Sequence, residues 1–350
     1  MPLRVLHLVG SAVNEFFCDL SRLYARDCLS ATEDPDRYEP VIAYVTPGQR
    51  WRFPVHLGAA AIAVSPVLST AQAITRIASL EVDVMVPQMF CLPGMTSYRS
   101  LFDLLGIPYV GNPPDVMALA GHKARAKAVV AAAGVNVPRG EIVHAGERPA
   151  IPPPAVVKPI DADNSAGVTL VRERDGFYAA VRRACTHSDA ALVEEYIELG
   201  REVRCGIIVR DHELVCLPLE EYRVDSARHP IRDSQDKLAR GPDGELTLVA
   251  KERARAWIVD LDDPITEGVW DAARRCHVAL GCRDYSLFDF RIDHHGHPWF
   301  LEAGLYCSFA RQSVISMMAA AAGITLDELF ASAIDGALTP HTVPDLSRSR

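Results

Sequence analysis

The first element is a mostly apolar run, Leu3–Val9, broken by Arg4 and His7, which ends at Gly10-Ser-Ala-Val-Asn-Glu15 and gives way to helix-patterned residues over about Phe16–Arg26. Adjacent apolar residues, as at Val5-Leu6 and Leu8-Val9, point to opposite faces and suit a strand covered on both, as in parallel sheets flanked by helices. The alternation continues through strand Glu39–Val45, helix Thr70–Leu80, strand Val82–Pro87, helix Thr96–Leu105 and the short apolar stretch Ile107–Gly111. That βαβα order predicts an N-terminal α/β domain with a Rossmann-like parallel sheet, whose ligands would sit at the C-terminal strand ends. Gly10 stands alone, so the dinucleotide fingerprint G-x-G-x-x-G is missing. Asn112-Pro-Pro marks a boundary. Beyond it Asp115–Ala133 reads as an Ala-rich helix pair, Ala155–Ile160, Val168–Val171 and Ala191–Ile197 as strands, and Gly176–Cys185 as a helix. Helices Ser313–Gly323 and Thr325–Gly336 close the fold, and the Pro-, Ser- and Arg-containing Leu338–Arg350 reads as a disordered tail.

The strictest alternation lies at Leu287–Asp293 and Pro298–Gly304, two strands joined by a tight turn at His295-Gly296. Glycine tolerates the positive φ of such a turn. Centring the hairpin there pairs Phe288 with Ala303, Phe290 with Leu301 and Ile292 with Trp299 on one apolar face. The other face opposes Asp289 to Glu302, in the company of Leu287 and Phe300. Opposed Cβ atoms lie about 4.5–5.5 Å apart, where like charges are destabilising. Two carboxylates so placed shed a charge or share a cation. A solvated face is the usual fate of strand carboxylates, but the apolar company makes this one not simply wet; a divalent-cation site is the sharper alternative, and the hairpin alone does not decide between them. His294, His295 and His297 fall in the turn and read as exposed turn residues.

Composition narrows the classes. The 350 residues carry a formal charge of −9, which argues against general nucleic-acid or anionic-membrane binding. The start does not resemble a signal peptide, and no apolar run is long enough to span a bilayer. Nine cysteines without a C-x-x-C pair speak against a zinc ribbon or dithiol motif and fit reduced, mostly buried thiols in a cytoplasmic protein. Three further segments carry candidate chemistry. Ala155-Val-Val-Lys158-Pro is a strand ending in a lysine, followed by the small, polar loop Asp161–Gly167, whose accessible N–H groups could cradle phosphate without forming a P-loop. Glu194-Glu195-Tyr196-Ile197 and Glu202 form an acidic strand end and linker suited to adenine and ribose.

The order Lys123, Val-Lys158-Pro, Asn164-Ser-Ala-Gly-Val, Val-Glu194-Glu-Tyr-Ile, Gly-Arg-Glu202, Leu-Gly281-Cys-Arg-Asp-Tyr, Phe-Asp289 and Phe-Leu-Glu302-Ala resembles the ATP-grasp superfamily. Within it the chain is similar to the D-alanine–D-alanine ligase group of carboxylate–amine ligases, from Leu3 to Phe330. The resemblance implies an α/β fold, α+β in its ATP-grasp part. Its division would be an N-terminal domain over 1–112, ATP-grasp subdomains over 113–196 and 197–337, and the tail 338–350. It also implies roles. Lys123 and Lys158 would bind ATP phosphates, and Asn164, Ser165 and Gly167 would lie in the loop that folds over them. Glu194, Glu195, Tyr196 and Ile197 would hold adenine, partly through backbone groups, and Glu202 the ribose. Asp289 and Glu302 would ligate Mg2+ or Mn2+, and Lys237, with Lys251 as competitor, would contact phosphate. Glu15, by itself an ordinary first-turn Glu, would take a substrate ammonium. Ser313 would lie near the acceptor site.

The implied function is an ATP- and Mg-dependent ligase that activates a carboxylate as an acyl phosphate and couples it to an amine. The resemblance also implies small-molecule substrates and a homodimer. Departures fall on the substrate side. The family's Arg two residues before the metal Asp is Leu287 here, its Asn two residues after the metal Glu is Gly304, and its His-Gly…Glu-Asp-Gly stretch is replaced by Gln88–Thr96. Arg291, on the Asp289 strand face, would either stand in for the missing Arg or pair with Asp289 or Asp293. Two alternatives stay open at this level: a nucleotide-binding scaffold without turnover, and D-alanine–D-alanine ligase in the narrow sense.

Overall fold

The computed structural model describes residues 1–162, 165–224, 231, 238–240, 246–248 and 256–339. Leu3–Gly10 pairs in parallel with Tyr38–Val45 on one side and Val84–Pro87 on the other, with Trp51–Arg52 antiparallel at the edge. The strand is buried from Val5 to Gly10, as one covered on both faces must be. Ile107–Gly111 contributes a single bridge, Met85 to Tyr109, and no strand. Helix Glu15–Ala31 starts at Asn14, whose side chain accepts from Phe17 N and satisfies one of the open N–H groups of the first turn.

Two larger antiparallel sheets follow, besides the short antiparallel pair Leu238–Arg240 and Leu246–Leu248. Gly140–Val143, Ala191–Glu195, Ala155–Pro159 and Thr169–Val171 lie in that order, with helix Phe177–Ala184 against them. Ala256–Ile258, Glu220–Tyr222, Arg201–Arg210, Tyr285–Ile292 and Pro298–Ala303 form the other, with Glu213–Cys216 also paired to Arg201–Arg210. Helices Lys123–Ala132 and Thr266–Ala279 pack onto its apolar face around Phe288, Phe290 and Phe300. The helices expected near the C-terminus are Val314–Ala321 and Leu326–Leu338, the second with a Thr325/Glu328 capping box. The expected tail falls largely on residues 340–350, outside those described. All nine cysteines are free, and all but Cys185 and Cys216 are buried. Among the described residues no single helix is long and apolar enough to cross a membrane.

The C-terminal hairpin departs from the expected register. Its loop is His294-His295-Gly296: Gly296 N donates to Asp293 O at 3.0 Å, Asp293 N donates to His297 O at 3.1 Å, and Gly296 has φ +85°. Pairing therefore begins at Ile292–Pro298 and runs through Arg291–Trp299 and Phe290–Phe300. The register then shifts at Leu301, which restores Asp289–Glu302 and Phe288–Ala303. An extra residue in the turn is cancelled by a bulge in the second strand. The expected pairs Phe290–Leu301 and Ile292–Trp299 do not form. Phe300 turns into the core, fully buried beside Phe288 and Phe290, and the carboxylate face receives Leu301 instead. Burying an aromatic ring in place of a Leu gives the bulge its driving force.

The N-terminal sheet is tied to the rest by polar contacts across long sequence separations. Asn112 Nδ2 donates to Tyr285 O and Leu305 O, and Gly111 N donates to Asp284 Oδ2 at 2.6 Å. Burial pushes the Asp284 carboxyl up to about 6, with Arg283 and Gly111 N pulling the other way. Between the ordinary carboxylate range and about 6 the folded state keeps a proton that the unfolded chain releases. Stability therefore falls as pH rises through that window, and the deficit is complete above it. Asp284→Asn, which keeps an acceptor for Gly111 N, is expected to stabilise the protein by about 1–3 kcal/mol at pH 7.5. The gain should vanish near pH 4; urea unfolding at both pH values measures it.

Candidate active site

An open cavity is lined by the two larger antiparallel sheets and by the start of helix Lys123–Ala132. Lys158 enters it from the end of strand Ala155–Pro159, and Lys123 from the first position of its helix. Lys123 Nζ donates to Ala162 O at 2.5 Å and lies 3.7 Å from the Glu302 carboxylate. It thus connects the loop after Lys158 to the hairpin. Lys127, one turn further along the helix, is fully enclosed: its Nζ lies 2.8 Å from Glu194 Oε1 and donates to Phe300 O at 2.9 Å. Lys158 Nζ takes the other Glu194 oxygen at 2.7 Å. Burial pushes Lys127 down to about 8, against the pull of Glu194. Burial alone would raise the Glu194 carboxyl, but the two lysines hold it below its ordinary value.

A second row of charges lies on the floor. The register of Arg201–Arg210 against Tyr285–Ile292 sets Glu202 opposite Arg291 and Arg204 opposite Asp289. Arg291 Nη2 donates to Glu202 at 2.8 Å and Nη1 to Ile197 O at 3.2 Å, with the guanidinium 5.3 Å from the Tyr196 ring centre. Arg291 therefore pairs with neither Asp289 nor Asp293, and it sits against the Tyr196–Ile197 linker and Glu202. Among the described residues Asp289 pairs with Arg204, which the sequence reading missed: its Nε and Nη2 both donate to the carboxylate, the latter at 2.7 Å. Asp293 instead holds the turn, accepting from His295 N, His297 N and Trp299 Nε1.

The remaining candidates are dispersed. Ser165, Glu195 and Ile197 line the cavity, and Ser165 (φ +57°) and Gly167 (φ +72°) bend the loop over Pro159 and His187. Glu15 is exposed at the start of its helix and does not line this cavity; Ser313 precedes helix Val314–Ala321 and shares a hydrogen bond with Ser316 at 2.8 Å. Asn164, Lys237 and Lys251 lie outside the described residues. Asp289 and Glu302 face each other, and among the described residues no cluster of three or more acidic, His or Cys side chains could hold a metal. Each of the two carboxylates already faces a cation, Arg204 or Lys123. Mg2+ takes one or two carboxylates and completes its shell with phosphates and water, so this donor set fits a metal that arrives with a nucleotide.

The D-ala D-ala ligase C-terminus family model matches residues 141–335. The chain belongs to the D-alanine–D-alanine ligase family. A D-alanine–D-alanine ligase from Methylobacterium radiotolerans is 33% identical over 240 residues, 66% of this chain and 73% of the relative. The VanG D-Ala:D-Ser ligase of Enterococcus faecalis superposes with a TM-score of 0.76 at 20% identity, over 97% of this chain and 100% of that one. The Bacillus anthracis D-alanine–D-alanine ligase solved with ATP gives 0.71 at 19% identity, over 96% and 97%. The fold is ATP-grasp, and this family member is an ATP-dependent ligase that joins a carboxylate to an amine through a C–N bond. Enzymes of this kind use ATP with a divalent metal.

Proposed function

We propose that this ligase activates the carboxylate of an amino acid as an acyl phosphate, with Mg2+ as the metal, and then passes the acyl group to an amine. A carboxylate resists direct attack because oxide is too poor a leaving group. In the first step a carboxylate oxygen attacks the γ-phosphorus of ATP and the bond to ADP breaks. In the second the amine attacks the acyl carbon, a tetrahedral oxyanion forms, and phosphate leaves while the nitrogen sheds its proton. Both steps gather negative charge, and phosphoryl transfer is mostly positioning and neutralisation. Lys123 and Lys158 supply positive charge at the phosphates, and Glu202 accepts from ribose, steadied by Arg291. Asp289 and Glu302 would hold the metal, which would supply positive charge against the phosphates. The Asp161–Gly167 loop keeps water off the acyl phosphate. Glu15 and Ser313 serve the amino-acid side, with 1–112 as the substrate domain and 113–196 and 197–337 as the nucleotide clamp.

The observation that carries this reading is the convergence of Lys123, Lys158, Glu202, Asp289 and Glu302, from four separate chain segments, on one cavity. The test is phosphate release from ATP and Mg2+ with pooled D- and L-amino acids. Release that needs both the pool and the metal is expected, and D-alanine is the first acid to resolve from the pool. Silence with every pool would end the proposal.

A further inference from the structure

We propose that Arg204 is a catalytic residue of this ligase, gripping the substrate carboxylate and then the oxyanion through Nη1 while its other nitrogens align Asp289. This rests on the acyl-phosphate reading. Arg204 lies in strand Arg201–Arg210, two residues beyond Glu202 and so on the same sheet face, directly across from Asp289. Nε and Nη2 are spent on the Asp289 carboxylate. A guanidinium has five N–H donors in a fixed fork, and neither hydrogen on Nη1 meets an acceptor among the described residues.

Its position points it towards the reacting acid. Arg204 does not line the cavity that holds Lys123, Lys158, Glu202 and Arg291, so it stands beside Asp289 outside the nucleotide's lining. Its guanidinium is 5.5 Å from the Tyr222 ring centre, and its charge reaches Tyr24 of the N-terminal helix, where it opposes the rise that burial imposes on the phenol. The side chain is 15% exposed, which leaves an approach to it. A carboxylate brought against a γ-phosphate needs a cation on its own side, because the two anions repel. The position two residues before Asp289 offers none, being Leu287, and Leu287 stands opposite Gly206. Arg204 supplies that charge from the neighbouring strand, at the Asp289 level. Because the same guanidinium holds Asp289, substrate carboxylate and metal ligand would be aligned by one rigid group.

Phosphonoacetate, a non-hydrolysable molecule that carries a carboxylate one methylene away from a phosphonate, tests this without turnover. Calorimetry would measure its binding to the ADP–Mg2+ complex and, separately, the binding of ATP–Mg2+, for the wild type, Arg204→Gln and Arg204→Lys. Arg204→Gln should weaken phosphonoacetate by at least about tenfold and ATP–Mg2+ by less than about threefold. Arg204→Lys keeps the charge but loses the fork, and should fall between the two. Should the Gln variant fail to fold, the Lys variant alone is expected to weaken phosphonoacetate by about threefold or more. The proposal is overturned if the wild type does not bind phosphonoacetate, if the folded variants bind it as the wild type does, or if ATP–Mg2+ weakens equally. Phosphate release tests the ligase chemistry separately, so the two failures are distinguishable.

Discussion

Glu194→Ala is expected to destabilise the fold by about 3–5 kcal/mol, because it strands two buried ammonium groups. Lys127 and Lys158 lie within 2.8 Å of opposite Glu194 oxygens, and all three side chains are at most 9% exposed. Removing one partner of a buried ion pair leaves the full desolvation cost of the other. Here the cost is shared by two like charges, which then also repel. The pH dependence identifies the mechanism. Lys127 already titrates near 8 in the folded protein, well below an ordinary lysine, and loss of Glu194 lowers it further. Above that value the folded state has released a proton that the unfolded chain still holds, so stability rises with pH. The deficit of Glu194→Ala should therefore shrink between pH 7 and 9 in urea unfolding. Adding Lys127→Met should recover part of it at pH 7, since an apolar side chain of similar length needs no counter-charge. A deficit independent of pH, with no recovery in the double variant, would assign it to lost packing.

Much of this site was written in simple periodicities. Lys127 is four residues after Lys123 on one helix, which sets both ammonium groups on the same face. Arg204 is two residues after Glu202 on one strand, which sets both on the same face of the sheet. What periodicity does not carry is the partner. Arg204 and Asp289 are 85 residues apart, and their pairing follows from the register between two strands. A one-residue slip would have exchanged every contact. The hairpin illustrates the same limit: the Asp289–Glu302 pair was legible, but only because a longer turn and a bulge offset each other. The mostly apolar strands Leu3–Gly10 and Val84–Pro87 were easier, since a strand buried on both faces leaves no choice of which face turns inward. Trp51–Arg52 and Ala256–Ile258 are too short for any period to show. Helix Thr266–Ala279 buries Val269, Ala272, Ala273 and Cys276, a helical spacing carried by mostly small residues and therefore faint.

Glu302→Gln should separate catalysis from stability. Its side chain is 37% exposed, and Lys123 lies 3.7 Å away, beyond hydrogen-bonding distance. A carboxylate this exposed makes solvent-screened ion pairs worth about 0–1 kcal/mol each, so the midpoint of thermal unfolding should move little. Turnover should nonetheless fall by about 10²-fold or more, because the lost charge is one the metal and the developing phosphate charge both need. The Mg2+ concentration for half-maximal rate should rise by at least about tenfold. Asp289→Asn provides the contrast. It removes a metal-side charge and also the bidentate partner of a guanidinium only 15% exposed, so both turnover and stability should drop. If Glu302→Gln instead loses stability as Asp289→Asn does, its carboxylate holds the fold and is not reserved for the metal. If it keeps full turnover at the same Mg2+ requirement, Asp289 carries the cation without it. A stable, metal-starved, slow variant at Glu302 beside an unstable one at Asp289 is the pattern this charge layout demands: one carboxylate anchored by a buried guanidinium, the other held out towards the nucleotide.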